Sequence, residues 1–485
     1  MSMTGESSDI SARTWRIVGG DPEVLSALTV TGPAAVLPGY FDLTGLATGA
    51  VAAALLAAAE FRAARDAGPV RPVTVDSRAA CAAFACEGLF TPVGWSLPEI
   101  WDPIAGNYLA ADGWIRLHTN YTYHRAAVER VLGADDRAAV QAAVSRWRTA
   151  DLESAVVAAG GCAAAMHGRV AWLASPAGAA SADAPPLIVG HALRGSATSD
   201  MTATRDTTAT RDMTAATRDM TAGPSAGLPF DGMRVLDLTR VIAGPVATRF
   251  LAAYGADVLR LDPPGFAEVP ALLPETTAGK RTAALDLGTT DGRAAFESLV
   301  ADADVLVTGL RDGALAGLGY DDDALAAVNP ALVHASLNAY GWEGPWRDRR
   351  GFDSLVQMSC GIAAAGAEAA GADKPIPLPV QGLDHATGYL LAAAVGRALT
   401  RRLTNSVVSR VQASLIGTAN LLWSLPRPHG QPGMPRRADI PLVDTMTAWG
   451  PARRVAIPGE ISGVPAELRI EAGPLGRHVP AWRPR

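Results

Sequence analysis

At 485 residues and roughly 150 residues per domain, the chain is long enough for several domains and a sizeable core. Hydrophobic residues make up 49% and charged residues 19%, which excludes a chain disordered throughout. The net charge is −6, from 42 basic and 48 acidic residues; with no basic excess to neutralise phosphates, nucleic acid is excluded as the main partner.

Met1 to Gly20 lacks the basic start and apolar run of a signal peptide, so a cytoplasmic location is expected. Leu43 to Ala59 is the longest uncharged apolar stretch. It is mostly alanine, is broken by threonine and glycine, and falls short of the roughly 20 residues of a spanning helix. A buried core helix is predicted there, and no membrane partner. The four cysteines, Cys81, Cys86, Cys162 and Cys360, form no CxxC pair, which points to a reducing compartment without disulfides or a cysteine metal site. His118 and His124 have no acidic partner at metal spacing, so no metal is expected.

Trp101 to Ala165 carries short strands (Asn107 to Ala110, Trp114 to Thr119) and amphipathic helices such as Arg137 to Trp147, the pattern of a smaller α+β domain. Ser199 to Gly223 is a tandem repeat of ATRDTT, ATRDMTA and ATRDMTAG; it lacks any apolar period and reads as a solvated linker. Beyond it, Met233 to Leu238, Asp257 to Leu261, Ala303 to Thr308 and Ala331 to Leu337 read as strands. Helices at Pro245 to Tyr254, Asp291 to Ala301 and Asp321 to Val328 separate them. That alternation predicts a doubly wound, Rossmann-like open parallel sheet. A long-range repeat pairs TGAVAAALLAAAEFRAAR from Thr48 with TGYLLAAAVGRALTRR from Thr387. Each copy leads through a short strand (Val73 to Val75, Val407 to Val411) to a second helix. The expected division is 1–90 as a partial large-domain segment carrying the duplicated unit, 91–193 as the small domain, 194–228 as linker, 229–425 as the Rossmann-like α/β domain, and 426–485, rich in Pro, Gly and Arg, as a wrapping segment.

Familiar cofactor cradles are absent. Gly279-Lys280 is followed by Arg281, and its fifth preceding residue is Pro274, so there is no P-loop. The turn Thr239 to Ala247 has a single glycine, which removes the GxGxxG fingerprint and with it any expectation of NAD or FAD.

Four blocks in order, GMRVLDLTRVIAGPVATRFLAAYGADVLRLDPPG, GKRTAALDL, ADVLVTGLRDGALAGLGYDDDALAAVNPALVHASLNAYGWEGPW and RGFDSLVQMSCG, closely resemble consecutive motifs of the family III CoA-transferases. That group includes formyl-CoA and carnitine CoA-transferases and α-methylacyl-CoA racemase. WDPIAGNYLAADGWIRLHTNYTYHRAAVERVLG and DLESAVVAAGGCAAA resemble the family's small domain, so the halves together hold about one set of family parts in reversed order. The resemblance implies that Asp384, in QGLDHATGYLLAAA, attacks an acyl-CoA thioester. An aspartate at a helix start also sits at the positive end of the macrodipole, and small Thr387 and Gly388 are expected to leave room for the thioester. The first copy has Gly45 at the matching position, and Asp42 lies three residues too early, so it is expected to be a cap and the chain to hold one active site.

The implied substrates are coenzyme A, as an acyl-CoA, and an acceptor carboxylic acid. CoA contacts are implied at Val241, Ala243, Leu285, Gly309, Leu310, Arg311, Leu318 and Arg350. The sequence departs from the family pattern where Thr308-Gly309-Leu310 stands for Glu-Asn-Phe and Gly317 for arginine. Lys280 and Arg281 are read either as part of the site or as solvated loop charge. Two other functions stay open: a racemase, although Phe352 stands where that branch needs histidine, and a non-catalytic CoA-binding scaffold. A homodimer is the expected assembly, and the Ala- and Gly-rich surroundings point to small aliphatic acyl groups.

Overall fold

The computed structural model describes residues 6–193, 227–311, 313–428, 430, 433–435 and 440–484; the tandem repeat read as a linker lies outside the described residues. The alternating segments of the second half build a seven-stranded sheet. From edge to edge its strands are Arg281–Ala284, Asp257–Asp262, Arg234–Leu238, Val305–Thr308, Val333–Asn338, Val407–Ser414 and Leu187–Leu193. The first six run parallel and the last is antiparallel. Every residue of Arg234–Leu238 and Val305–Thr308 is buried, which accounts for their continuous apolar character. Strand order reverses between these two neighbours, and a crevice for ligand opens outside their carboxyl ends.

Leu187–Leu193 comes from the first half, and Thr91–Pro92 pairs antiparallel with Gly450–Val455, so the 91–193 segment contributes to three sheets. Its other strands, Gly106–Leu109, Trp114–Leu117 and Ala163–Ala165, form a small antiparallel sheet. That sheet packs with the helices Thr122–Leu132, Arg137–Val144 and Thr149–Ala158 around Ile104, Tyr108, Ile115, Val128 and Val156. The final segment runs along the main sheet: His478 N–H donates to Thr282 O at 2.8 Å and Trp482 Nε1 to Leu299 O at 3.0 Å.

The repeat is structural. Helices Leu43–Asp66 and Gly382–Asn405 are each 24 residues long. Their N-cap residues, Asp42 and Gln381, share φ −74°, with ψ 71° and 64°. Their C-caps, Ala67 and Ser406, are both left-handed. Leu28–Thr31 pairs in parallel with Val73–Asp76 as Val333–Asn338 does with Val407–Ser414. Each pair carries an antiparallel neighbour, Glu460–Ile461 or Leu187–Leu193. The short helices Ser77–Phe84 and Leu415–Trp423 then start on capping side chains, Asp76 and Ser414. The two long helices pack together through small residues: a Cβ on Gly396 would lie 3.1 Å from Ala57 Cβ, and Arg397 pairs with Glu60 across the contact. Leu43–Asp66 is apolar enough to cross a membrane by composition, but 94% of its apolar window is buried in the protein.

Gly388 settles a second contact. A Cβ there would sit 2.5 Å from Ala243 O and 2.8 Å from Val246 Cβ, and Thr387 Oγ1 hydrogen-bonds Thr418 Oγ1 at 2.6 Å. These small residues therefore serve close helix packing, correcting the expectation that they leave space for a thioester. Gly388→Ala is expected to lower unfolding free energy by about 1–3 kcal/mol, measured as a shift in the denaturant midpoint.

Candidate active site

The loop after Arg234–Leu238 is tied down by a buried charge. Asp237 accepts hydrogen bonds from Thr239 N at 2.9 Å, Thr239 Oγ1 at 2.5 Å, Thr248 Oγ1 at 2.6 Å and Lys280 Nζ at 3.0 Å. Burial pushes the Lys280 ammonium down to about 8. Burial would raise Asp237, but the Lys280 and Arg260 charges hold it below the usual carboxylate range. Lys280 is thus a buried strut, and Arg281 is bound to Asp257 at 2.9 and 3.0 Å; neither is the solvated loop charge that was one reading. Val241 follows with φ 52°, a left-handed conformation that is costly for a β-branched residue. Its N–H donates to Glu268 Oε2 at 3.1 Å. Glu268 is itself held by Arg260 at 3.0 Å and by Tyr121 OH at 2.6 Å, so the first half braces this strained turn.

Asp384 is the third residue of helix Gly382–Asn405. The carboxylate of Asp353, itself buried, accepts from the backbone N–H groups of Leu383 at 2.8 Å and Asp384 at 3.0 Å. Those two N–H groups at the helix start are therefore taken. Burial raises the Asp384 carboxyl well above its ordinary value, and the neighbouring Asp353 and Glu87 charges raise it further. Asp353 is pushed up to about 6 by burial, against the opposing effect of its hydrogen bonds. His385 points away to Glu87, with Nε2 at 3.1 and 3.2 Å from the two carboxylate oxygens. Asp42 caps the first long helix through Gly45 N–H at 2.8 Å, as expected of the empty copy.

Asp384 lies where two cavities meet. A cleft of about 330 Å³ brings it together with Val241, Ala243, Gly309, Leu310, Arg311 and Arg350. Leu285 and Leu318 are not on its wall; they pack against the cluster around Phe296 and Leu299. Gly309 and Leu310 leave the cleft without the family's aromatic, and a Cβ on Gly317 would meet no heavy atom within 4 Å. Charge comes from Arg311 and Arg350, and from Arg240 and Arg349, two that the sequence did not single out. Arg350 donates to Gly160 O at 3.1 Å, Arg349 to Glu153 at 2.7 Å, and Arg240 lies 3.7 Å from the Phe266 ring centroid.

The second cavity, of about 250 Å³, shares Val241, Phe352 and Asp384 with the cleft. About half of its remaining wall is contributed by first-half residues, among them Phe84, Glu87, Trp101 and His118. His118 stacks on Phe352 with centroids 3.8 Å apart. Burial, with the Arg116 charge, lowers His118 far below its usual value, so it is a neutral ring. Nothing in the spacing along the chain brought these residues to Asp384; only the packing of the two halves does.

Cys86, Glu87 and His385 converge closely enough for a metal ion. Burial pushes the Cys86 thiol up to about 12, and the Arg249 guanidinium donates to its sulfur at 3.6 Å. The Arg249 cation thus already faces the Cys86 sulfur, and His385 Nε2 is already bonded to both Glu87 oxygens.

The doubly wound sheet thus sets a buried carboxylate at a helix start between a basic cleft and an apolar cavity. Residues 230–449 match the sequence profile of CoA-transferase family III. The chain is 34% identical over 204 residues to a probable fatty acyl-CoA transferase of Mycobacterium tuberculosis, covering 39% of this chain and 51% of that one. It is also 34% identical over 191 residues to the acetyl-coenzyme A transferase nodX of Hypoxylon pulicicidum, covering 39% and 32%. The chain thus spans about half or less of these curated relatives. The crystal structure of the mycobacterial protein covers 41% of this chain and 58% of its own, at 33% identity and a TM-score of 0.38.

Folding raises both Asp384 and Asp353, so the folded chain binds protons more tightly than the unfolded one. The stability linked to these groups is present below about pH 4 and is lost as pH rises through the folded values. Asp384→Asn is therefore expected to melt above the wild type by a margin that grows as pH rises from about 4, measured by thermal denaturation.

Proposed function

We propose that the chain is a CoA-transferase in which Asp384 is the nucleophile. The observation that carries this is the meeting of the basic cleft and the apolar cavity at one buried carboxylate. Arginine forks suit the phosphates of CoA, and Arg311 and Arg350 hold them while the acyl group lies beside Asp384. The Asp384 carboxylate, buried and with no cation paired to it among the described residues, attacks the thioester carbonyl. The C–S bond breaks and leaves CoA thiolate and a mixed anhydride. The thiolate attacks the aspartyl carbonyl, releasing the donor acid and leaving an aspartyl-CoA thioester. The acceptor carboxylate attacks that thioester, and the returning thiolate takes the acceptor acyl group, which restores Asp384. The wall around Asp384 comes from both halves of one chain.

Incubation with a panel of acyl-CoAs, followed by hydroxylamine quenching and peptide mass spectrometry, tests this reading. An adduct on Asp384 is expected, lost by at least about a thousandfold in Asp384→Asn; absence of any adduct with every acyl-CoA would overturn it. Because the nucleophile is the deprotonated form, adduct formation should rise with pH through a value well above the ordinary carboxyl at about 3.9. Asp353→Asn, which removes a neighbouring negative charge, should move that limb to lower pH.

A second reading, α-proton exchange on an acyl-CoA, is favoured by one observation: neutral His118, stacked on Phe352, lines the same cavity as Asp384. An acid and a base kept apart in affinity would suit that exchange. Solvent deuterium entering recovered acyl-CoA, without transfer to any acid, is the result that would select it.

A further inference from the structure

We propose that the cavity beside Asp384 accepts an uncharged, apolar acyl chain, and that Trp101 sets this selectivity by walling Arg116 off from it. The inference rests on the transferase reading of Asp384 and adds the class of acid.

The cavity wall is mostly apolar, with Phe84, Ile100, Trp101, Leu272 and Val380 beside the stacked pair His118 and Phe352, and carries the neutral polar groups of Asn120, Ser354 and Gln381. Its charged groups among the described residues are both carboxyls, Asp384 and Glu87. Burial alone would raise Glu87, but the adjacent His385 overrides it and holds the carboxyl below its usual range. An acyl chain ending in a second carboxylate would therefore lose its hydration against an apolar wall and face a like charge.

The cation that could answer such a carboxylate stands one layer back. Arg116 lies in an adjoining cavity of about 250 Å³ with Asn107, Ser354 and Gln357. Trp101, Ser354 and Gln381 belong to both cavities, while Arg116 lines only the second. The guanidinium carbon sits 4.8 Å from the Trp101 ring centroid, so the indole lies against its face as a partition. Arg116 donates to Asn107 Oδ1 at 3.0 Å, while its Nε and Ser354 Oγ are buried and unpartnered. Removing the indole would join the two spaces and present the Arg116 guanidinium to a chain growing from Asp384.

Formation of the Asp384 adduct from hexanoyl-CoA and benzoyl-CoA should exceed that from succinyl-CoA and glutaryl-CoA by at least about tenfold in kcat/KM. Trp101→Ala should narrow or invert that ratio, and Glu87→Gln should narrow it without the loss of packing. Equal or faster labelling by the dicarboxylic CoA esters in the wild type would overturn the selectivity while leaving the transferase reading in place. A ratio unchanged in a folded Trp101→Ala protein would overturn the role of Trp101. No adduct from any of the four esters would remove the transferase reading, and this inference with it.

Discussion

The contact between helices Leu43–Asp66 and Gly382–Asn405 is the constraint on which the rest depends. Alanine and glycine at their interface let two backbones approach closely, as Gly396 against Ala57 illustrates, so two sequence-distant halves share one core. That contact carries Phe84, Glu87 and the segment from Ile100 to His124 over the end of the main sheet, where Asp384 waits. A site of this shape does not exist in either half alone.

The same contact explains the electrostatics. Asp384 and Asp353 are buried side by side with no paired cation among the described residues, and Glu87 lies near them. Proteins seldom tolerate such a grouping unless it is hydrogen-bonded or reactive. Asp353 is satisfied by two helix N–H groups, so it anchors the helix start and leaves Asp384 as the group under tension. The strained Val241 turn tells a similar story at the opposite wall. Its conformation is held by Glu268, which Tyr121 and Arg260 fix from two sides, so both walls of the site spend stability gained elsewhere in the core.

Much of this was legible in the sequence. Alternation of short apolar runs with ten-residue helices specified the parallel sheet, and the Thr48 and Thr387 repeat specified two copies of one unit. Asp384 stood out through its motif and its place at a helix start. The residues that shape its surroundings did not stand out. Tyr121, Arg240 and Trp101 are ordinary in local context and acquire a role only when the halves close. Lys280 was ambiguous because burial, which decides between a loop charge and a strut, depends on strands distant from it. Gly388 was misread because a small residue signals equally a ligand's approach and a helix contact. The strand Leu187–Leu193 could not be assigned to the main sheet, since an edge strand's partner is set by tertiary packing and not by its own pattern.

The most direct test of Asp384 as the group through which transfer passes follows a single oxygen. When an oxygen-18-labelled acceptor carboxylate attacks the aspartyl-CoA thioester and the thiolate then takes its acyl group, one labelled oxygen must stay behind on the aspartate. Mass spectrometry of the peptide containing Asp384 after a single complete transfer should show that oxygen in its side chain. Formation of acceptor acyl-CoA with the Asp384 peptide unlabelled would contradict the mechanism.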